Sequence, residues 1–204
     1  MGDIGLFPLG IVLVPGEHVP LHIFEERYQE LIGECIEKDA EFGLVLIDDS
    51  GLRTVGTRAA VVSVLERMPG GEMNIVVEGR ERFRIVAETT GRSFRSAEIE
   101  PFDDEADAEP TPDQMAEWLR AYQEVVTVAD AEPEELDLGA ASLAFQIAGR
   151  VDFGPEAEQV LLEMRSERDR VTEVMLLLRA LVEVLQARRV ARERASGNGQ
   201  VVSE

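Results

Sequence analysis

The chain has 204 residues, of which 45% are apolar and 30% are charged, a composition typical of soluble globular proteins. Its formal net charge of −21 is large for this length. An anionic surface repels nucleic-acid phosphates and anionic lipid headgroups, so we expect neither nucleic acid nor membrane as a partner. No stretch approaches the ~20 consecutive apolar residues that span a bilayer. These features favour a cytoplasmic protein.

The few cysteines and histidines argue against a metal site. Cys35 is the only cysteine, which excludes an intramolecular disulfide and a cysteine-rich metal centre. The two histidines, His18 and His22, are four residues apart, a spacing that brings imidazoles together on a helix. Pro20 lies between them in a strand-like segment, where the two side chains would share a face but stay separated. We therefore expect no metal and no cofactor.

The amino-terminal segment predicts two short strands and then a helix. Pro8, Pro15 and Pro20 interrupt its apolar residues, and proline in a sheet marks strand starts, edges or bulges. The helix follows at once, because apolar residues recur at spacings of three and four and form one stripe. This stripe consists of Tyr28, Leu31, Ile32, Cys35 and Ile36. Its place on the stripe predicts that the Cys35 thiol is buried and inert.

The chain continues with further short strands up to residue 101. Apolar or alternating segments predict strands at residues 42–47, 59–65, 73–77, 82–87 and 94–99. The Pro69-Gly70-Gly71 break predicts a hairpin between the second and third of these, and Gly79 is expected to end the third.

The second half of the chain reads as helical. Residues 102–113 are acidic, contain two prolines and predict a solvated linker. Helices are expected from residue 114, at 136–151, at 155–164 and at 166–195, the last about 45 Å long at 1.5 Å per residue. Because that helix outruns a compact core, a homodimer along it is a further expectation. Residues 196–204 are expected to form a disordered tail.

Ordered motifs in the chain resemble one family. LFPL from Leu6, PLHIFEERY from Pro20, FGLVLI from Phe42, VEGRERFRI from Val77 and AEIEP from Ala97 are similar to the amino-terminal domain of Lon proteases. The resemblance spans nearly the whole chain. It implies an α+β fold, with an amino-terminal PUA-like β pseudo-barrel (residues 1–101) and one packed helix. A carboxy-terminal helical bundle (residues 114–195) would follow and end in one long helix.

Both catalytic activities of Lon proteases require a lysine that this chain does not supply. Lys38 is the only lysine, and no glycine-rich phosphate loop surrounds it. A serine–lysine dyad needs a lysine desolvated beside the serine, whereas Lys38 belongs to an amphipathic helix. The chain therefore resembles a stand-alone form of the non-catalytic domain, without ATPase and protease domains, and we expect no enzymatic activity.

Because PUA-like folds include RNA-binding proteins, RNA binding by the arginine-rich region is an alternative function. Five arginines cluster near the middle of the chain: Arg80, Arg82, Arg84, Arg92 and Arg95. Glutamates alternate with them, and such alternation on strands predicts cross-strand ion pairs instead of an RNA surface.

Recognition of protein is the remaining function. The resemblance implies binding of unfolded or tagged polypeptide, as an adaptor or holding protein and in association with a protease complex. An extended peptide would bind between the β domain and the bundle, with candidate contacts from Phe24, Tyr28, Arg82 and Phe83. Core packing is the favoured interpretation for Phe24 and Phe83, while the two interpretations are balanced for Tyr28. The alternatives are a scaffold for one folded partner and an enzyme of unrecognised type.

Overall fold

The computed structural model describes residues 2–106, 110–132, 135–137 and 142–197. Its strands are β1 (Gly2–Leu9), β2 (His18–Ile23), β3 (Phe42–Asp48), β4 (Gly51–Leu52), β5 (Val55–Arg67), β6 (Met73–Thr89) and β7 (Ser96–Pro101). Its helices are α1 (Glu26–Lys38), α2 (Pro112–Ala129), α3 (Leu143–Ala148), α4 (Pro155–Glu163) and α5 (Glu167–Gly197). The predicted α+β order, with β structure first and one long helix last, is confirmed.

Five of the strands close into a ring. Their order is β1-β7-β6-β5-β3, and β1 closes the ring by pairing with β3 in parallel. The barrel interior contains one buried apolar cluster: Ile4, Leu6, Val45, Phe83, Ala97 and Ile99. Closure leaves no open edge in this part of the sheet. Outside the ring, β4 pairs with β3 and β2 pairs with β6.

Strand β6 is continuous through Gly79, so the predicted end of a strand at this residue is wrong. The reason is a close backbone approach: a Cβ atom at Gly79 would lie 2.2 Å from the Val14 carbonyl oxygen. Gly79 also donates to Glu17 O (2.9 Å) and accepts from Gly16 N (2.8 Å), which fixes the β1–β2 loop. The glycine thus serves a backbone contact within the sheet instead of a strand end.

Helix α1 packs against β1, β3 and β5. Its predicted stripe is largely buried, including Leu31, Ile32 and Cys35. These residues join the apolar side chains of β2, β5 and β6 in a second core cluster. Here β6 pairs with β2 on one side and β5 on the other, as the predicted hairpin requires.

The helices form a third core against one face of the barrel. Trp118 and Tyr122 of α2 pack with Val174 and Leu178 of α5, and the same cluster includes Val14 from the β domain. Helix α2 begins with a capping box in which Thr111 and Gln114 bond reciprocally. No helix in the described ranges is long and apolar enough to cross a membrane.

Two helical boundaries differ from the predictions. Helix α3 begins at Leu143, not at residue 136, because the Ser142 hydroxyl accepts from Phe145 N at 3.1 Å and caps it. The Gln146 side chain bonds Asp137 N and O, which holds that residue outside the helix. Residues 138–141 lie outside the described ranges. Helix α5 runs to Gly197, and the rest of the predicted tail, 198–204, also lies outside them.

The predicted linker is anchored at its start. Phe102 is buried in the core of the bundle, so this residue is not solvated as expected. Asp104 is exposed and bonds two buried arginines. Residues 107–109 lie outside the described ranges, and the boundaries of the linker stay a prediction. The homodimer along α5, where Leu176 and Val184 are exposed, also stays a prediction.

We expect Gly79→Ala to lower the free energy of unfolding by about 1–3 kcal/mol, because the new methyl group overlaps the Val14 carbonyl. Urea unfolding measures the change. Gly33→Ala is the matched control: its Cβ would meet no atom within 4 Å, and alanine in a helix is favoured by about 0.5–1 kcal/mol. Equal effects of the two substitutions would contradict the close approach at Gly79.

Candidate functional site

Strand β5 has an edge that no described strand covers over its second half. On this side, β3 pairs only with residues 57–59 of β5, whereas on the other side β6 pairs with β5 as far as Arg67. Residues 60–67 therefore present backbone N–H and C=O groups along about 26 Å, at 3.3 Å per residue. Such an edge can pair with another chain. We call residues 60–67 the open edge.

Apolar side chains are exposed on the open edge. Val62 is 43% exposed, Val64 36% and Leu65 62%. Single exposed apolar residues are common, but three within four positions on an unpaired strand form a patch suited to binding. Register shifts within residues 61–66 bulge this part of β5 and increase its twist. The bulges disfavour flat sheet-to-sheet aggregation and leave room for a short, twisted strand.

A cleft of about 490 Å³ separates the open edge from the C-terminal end of α1. Its lining residues are Cys35, Ile36, Asp39, Ala40, Glu41, Ala60, Val61, Val62, Ser63, Val64, Arg80 and Glu81. Burial raises the pKa of Cys35 to about 11, so the thiol is protonated at neutral pH and inert, as predicted. The cleft thus combines apolar side chains, charged side chains and an unpaired strand, an arrangement that suits binding more than catalysis.

A cluster of charged residues around two buried arginines joins the barrel to the bundle. Arg82 Nη1 donates to Leu162 O (2.7 Å) and Met164 O (2.6 Å), and Nη2 donates to Asp104. From α5, Arg170 donates to both Asp104 oxygens and to Glu167 Oε2. We call Arg82, Asp104, Arg170 and Glu167 the arginine clamp.

Both arginines of the arginine clamp have hydrogen-bond acceptors. Arg170 is 0% exposed, and its guanidinium carbon lies 4.1 Å from the centroid of the Phe145 ring. Burial would raise the pKa of Asp104, but the hydrogen bonds and charges of Arg170 and Arg82 outweigh it and lower that pKa. Asp104 therefore stays ionised at neutral pH beside the two guanidinium groups.

Glu17, in the β1–β2 loop, lies at the boundary between the two halves of the molecule. Its Oε2 accepts from Val14 N at 3.0 Å, and its side chain meets Gly149 at the end of α3. Burial raises the pKa of Glu17 to about 7, against the opposing Val14 hydrogen bond and with a further contribution from the Glu158 charge. This carboxyl group therefore changes charge near neutral pH.

Comparison with known proteins identifies the family. The family model described as the ATP-dependent protease La (LON) substrate-binding domain matches residues 3–180. The chain belongs to this family. Lon protease of Paraburkholderia phytofirmans is 28% identical over 91% of this chain and 25% of that protein. Lon protease of Escherichia coli K12 is 25% identical over 94% of this chain and 26% of that protein. The chain thus spans about a quarter of the length of these relatives.

Solved structures of Lon amino-terminal domains share the fold. A Lon N-terminal domain protein from Xanthomonas campestris superposes with a TM-score of 0.66 at 20% identity, over 86% of this chain and 98% of that one. The N-terminal domain of Mycobacterium avium complex Lon protease superposes with a TM-score of 0.67 at 17% identity, over 87% and 98%. At these identities the likeness concerns the fold alone.

The four predicted contact residues do not form one surface in this Lon substrate-binding domain. Phe24 is 61% exposed and stacks on His22, so the expectation of core packing is wrong for this residue. The chain turns from β2 into α1 at this point, which leaves the ring outside both elements. Tyr28 is buried against Phe7, with ring centroids 4.2 Å apart. A binding role for Phe24 stays a proposal.

The other two predicted contacts are structural in this conformation. Phe83 is 1% exposed and its ring lies in the space where Gly43 and Gly56 have no side chains, so core packing is confirmed. Arg82 belongs to the arginine clamp instead of a cross-strand pair. Its neighbour Arg84 does follow the predicted pattern and faces Glu100 of β7 at 3.9 Å.

Sequence reasoning missed the open edge because its residues form an ordinary apolar run. Residues 59–65, AAVVSVL, indicate a buried strand, and a buried strand is what the first part of β5 becomes. The predicted strands, 42–47 and 59–65, are almost equal in length and give no sign of an uncovered edge. In the structure β3 has seven residues and β5 has thirteen, so β3 is too short to cover all of β5.

We expect Arg82→Ala to lower the free energy of unfolding by about 3–5 kcal/mol, because it removes one partner of a buried ion pair. It also removes the Arg82 donor from the Leu162 carbonyl and leaves Met164 O with Arg170 alone. Arg84→Ala, on the same strand but exposed, should cost less than about 1 kcal/mol. Urea unfolding of both variants checks this. Similar losses would show that the clamp adds nothing beyond a surface pair.

We expect Glu17→Gln to remove a pH dependence of stability. The folded pKa of about 7 exceeds the ordinary value of 4.5, so this group's contribution is complete below pH 4.5 and is lost as pH rises through 7. The glutamine variant should match the wild type at pH 5. At pH 8.5 its melting temperature should be about 2–4 °C higher, which assumes about 1 kcal/mol after discounting solvent screening.

The control for this titration is Glu124→Gln on the exposed face of α2. Thermal unfolding of the wild type and both variants at the two pH values is the measurement. A difference between wild type and Glu17→Gln that is the same at pH 5 and pH 8.5 would exclude Glu17 as the titrating group.

Proposed function

We propose that this chain is a non-catalytic polypeptide-binding module, which recognises unfolded or tagged protein as an adaptor or holding protein. The observation that carries the proposal is the open edge of β5, where exposed Val62, Val64 and Leu65 adjoin a cleft against α1. Membership of the Lon substrate-binding domain family supports the same function.

The mode of binding follows from the backbone of the open edge. An extended polypeptide can add a strand beside residues 60–67 through main-chain hydrogen bonds, which do not depend on its sequence. Because side chains alternate along a strand, every second one would point toward the cleft and contact residues such as Ile36 and Val62. This mode selects unfolded chains, since a folded protein already pairs its own strands.

The partner of such a module is a second part of the proposal. The relatives are Lon proteases, and the chain matches only about a quarter of their length. A module that holds unfolded protein would deliver it to a protease complex of this type. The open edge lies on the β domain, away from the barrel–bundle contact at the arginine clamp, so a bound polypeptide would leave that contact intact.

The test is fluorescence anisotropy of a labelled, permanently unfolded polypeptide titrated with the protein. We expect saturable micromolar binding that persists at physiological salt, because apolar contacts are not screened. Val62→Ser combined with Leu65→Ser should weaken binding about tenfold, the factor that corresponds to the loss of about 1.4 kcal/mol of apolar contact. These substitutions leave the net charge unchanged.

The matched control is Leu176→Ser, which removes an apolar side chain of similar exposure from α5. It should bind as the wild type does. No binding by the wild type would refute the polypeptide-binding function and favour a scaffold for one folded partner. Normal binding by the Val62 and Leu65 double variant would refute the location on the open edge.

A further inference from the structure

Only some of the charged residues around the cleft form ion pairs. Four charged residues line it: Asp39, Glu41, Arg80 and Glu81. Glu41 pairs with Arg58 at 3.4 Å, and Arg80 pairs with Glu78 at 2.9 Å. In the described part of the chain, the exposed side chains of Asp39 and Glu81 have no ion-pair partner.

Nearby cations do not compensate for these two carboxylates. Lys38, at the end of α1, pairs with Glu34 at 2.8 Å. At the hairpin end of the edge, Glu66 and Arg67 contribute one charge of each sign. The cleft walls therefore retain two unpaired negative charges, in a molecule whose net charge is −21.

The backbone of α1 adds to the same field. The C-terminal end of this helix lies at the cleft, where Asp39 and Ala40 both form part of the lining. The aligned peptide dipoles of a helix place a partial negative charge at its C-terminal end, which attracts cations within about one turn. Asp39, Glu81 and the helix end thus act on one position with the same sign.

We infer that the open edge prefers extended segments in which basic residues flank an apolar, strand-forming core, and that it discriminates against acidic flanks. This inference rests on the proposed function and specifies its substrate class. The apolar core would lie beside Val62 and Val64, and a lysine or arginine at the α1 end would meet Asp39 and Glu81. Backbone pairing provides affinity for any extended chain, and the flanking charges provide the preference for basic segments.

The experiment uses three labelled peptides with one apolar, strand-forming core of eight residues, flanked on both sides by two lysines, two serines or two glutamates. Anisotropy titrations are made with the full chain at low and at physiological salt. The lysine peptide should bind about tenfold more tightly than the glutamate peptide at low salt, as expected for a few exposed charge pairs. The ratio should fall at physiological salt because of screening.

Two double variants locate the preference. Asp39→Asn with Glu81→Gln should abolish most of the lysine preference and leave the serine peptide at wild-type affinity. Asparagine suits position 39, whose φ of 50° is left-handed. Glu124→Gln with Glu183→Gln makes the same change of net charge on α2 and α5 and should preserve the preference.

The outcomes distinguish the charge preference from the polypeptide binding on which it rests. Equal affinities of the wild type for all three peptides would overturn the charge preference while polypeptide binding stands. A preference that survives the Asp39 and Glu81 substitutions would show that the overall charge, and not this cleft, makes the selection. Failure of all three peptides to bind would overturn the proposed function, and the charge preference with it.

Discussion

The arrangement of this molecule depends on one buried charge cluster, the arginine clamp. Arg82 of β6 donates to the last carbonyl groups of α4 and the connection to α5, while Asp104 and Arg170 complete the set. Carbonyl groups at a helix end lack partners within the helix, so the arginine satisfies groups that burial would otherwise penalise. A hydrophobic replacement would fill the space but could not supply these donors. The clamp therefore fixes the barrel and the bundle in one relative position.

The open edge places the candidate binding surface on the β domain. With the barrel closed by the β1–β3 pairing, unpaired strand is left where β5 extends beyond β3. The remaining half of β5 is exposed, apolar and bulged, and it borders a cleft against α1. Closure of the barrel thus leaves the second half of β5 as an unpaired edge that carries exposed apolar side chains.

Charge has different roles in the two regions. In the clamp, paired charges are buried and ionised, and they position elements that are distant in sequence. Around the cleft, Asp39 and Glu81 are exposed and unpaired, so they can act on an incoming chain and are subject to salt. The large negative net charge has the same sign as the cleft, so diffusion of basic segments toward it is favoured at low salt.

The sequence by itself determined the class and order of the elements, because periodicity, proline and glycine act locally. The stripe of α1 and the β5–β6 hairpin followed from neighbouring residues alone. The family followed from ordered motifs, and confirmation came from the match over residues 3–180.

Tertiary structure decided which surfaces remain available. The sequence predicted a strand end at Gly79, but the glycine is required by the close approach of Val14. It also predicted core packing for Phe24, but the turn into α1 leaves this side chain exposed. Arg82 donates hydrogen bonds to the carbonyl groups of Leu162 and Met164, about eighty residues away in the sequence. The open edge depends on where β3 stops relative to β5. Each outcome is set by contacts between residues far apart in the chain, which local patterns do not encode.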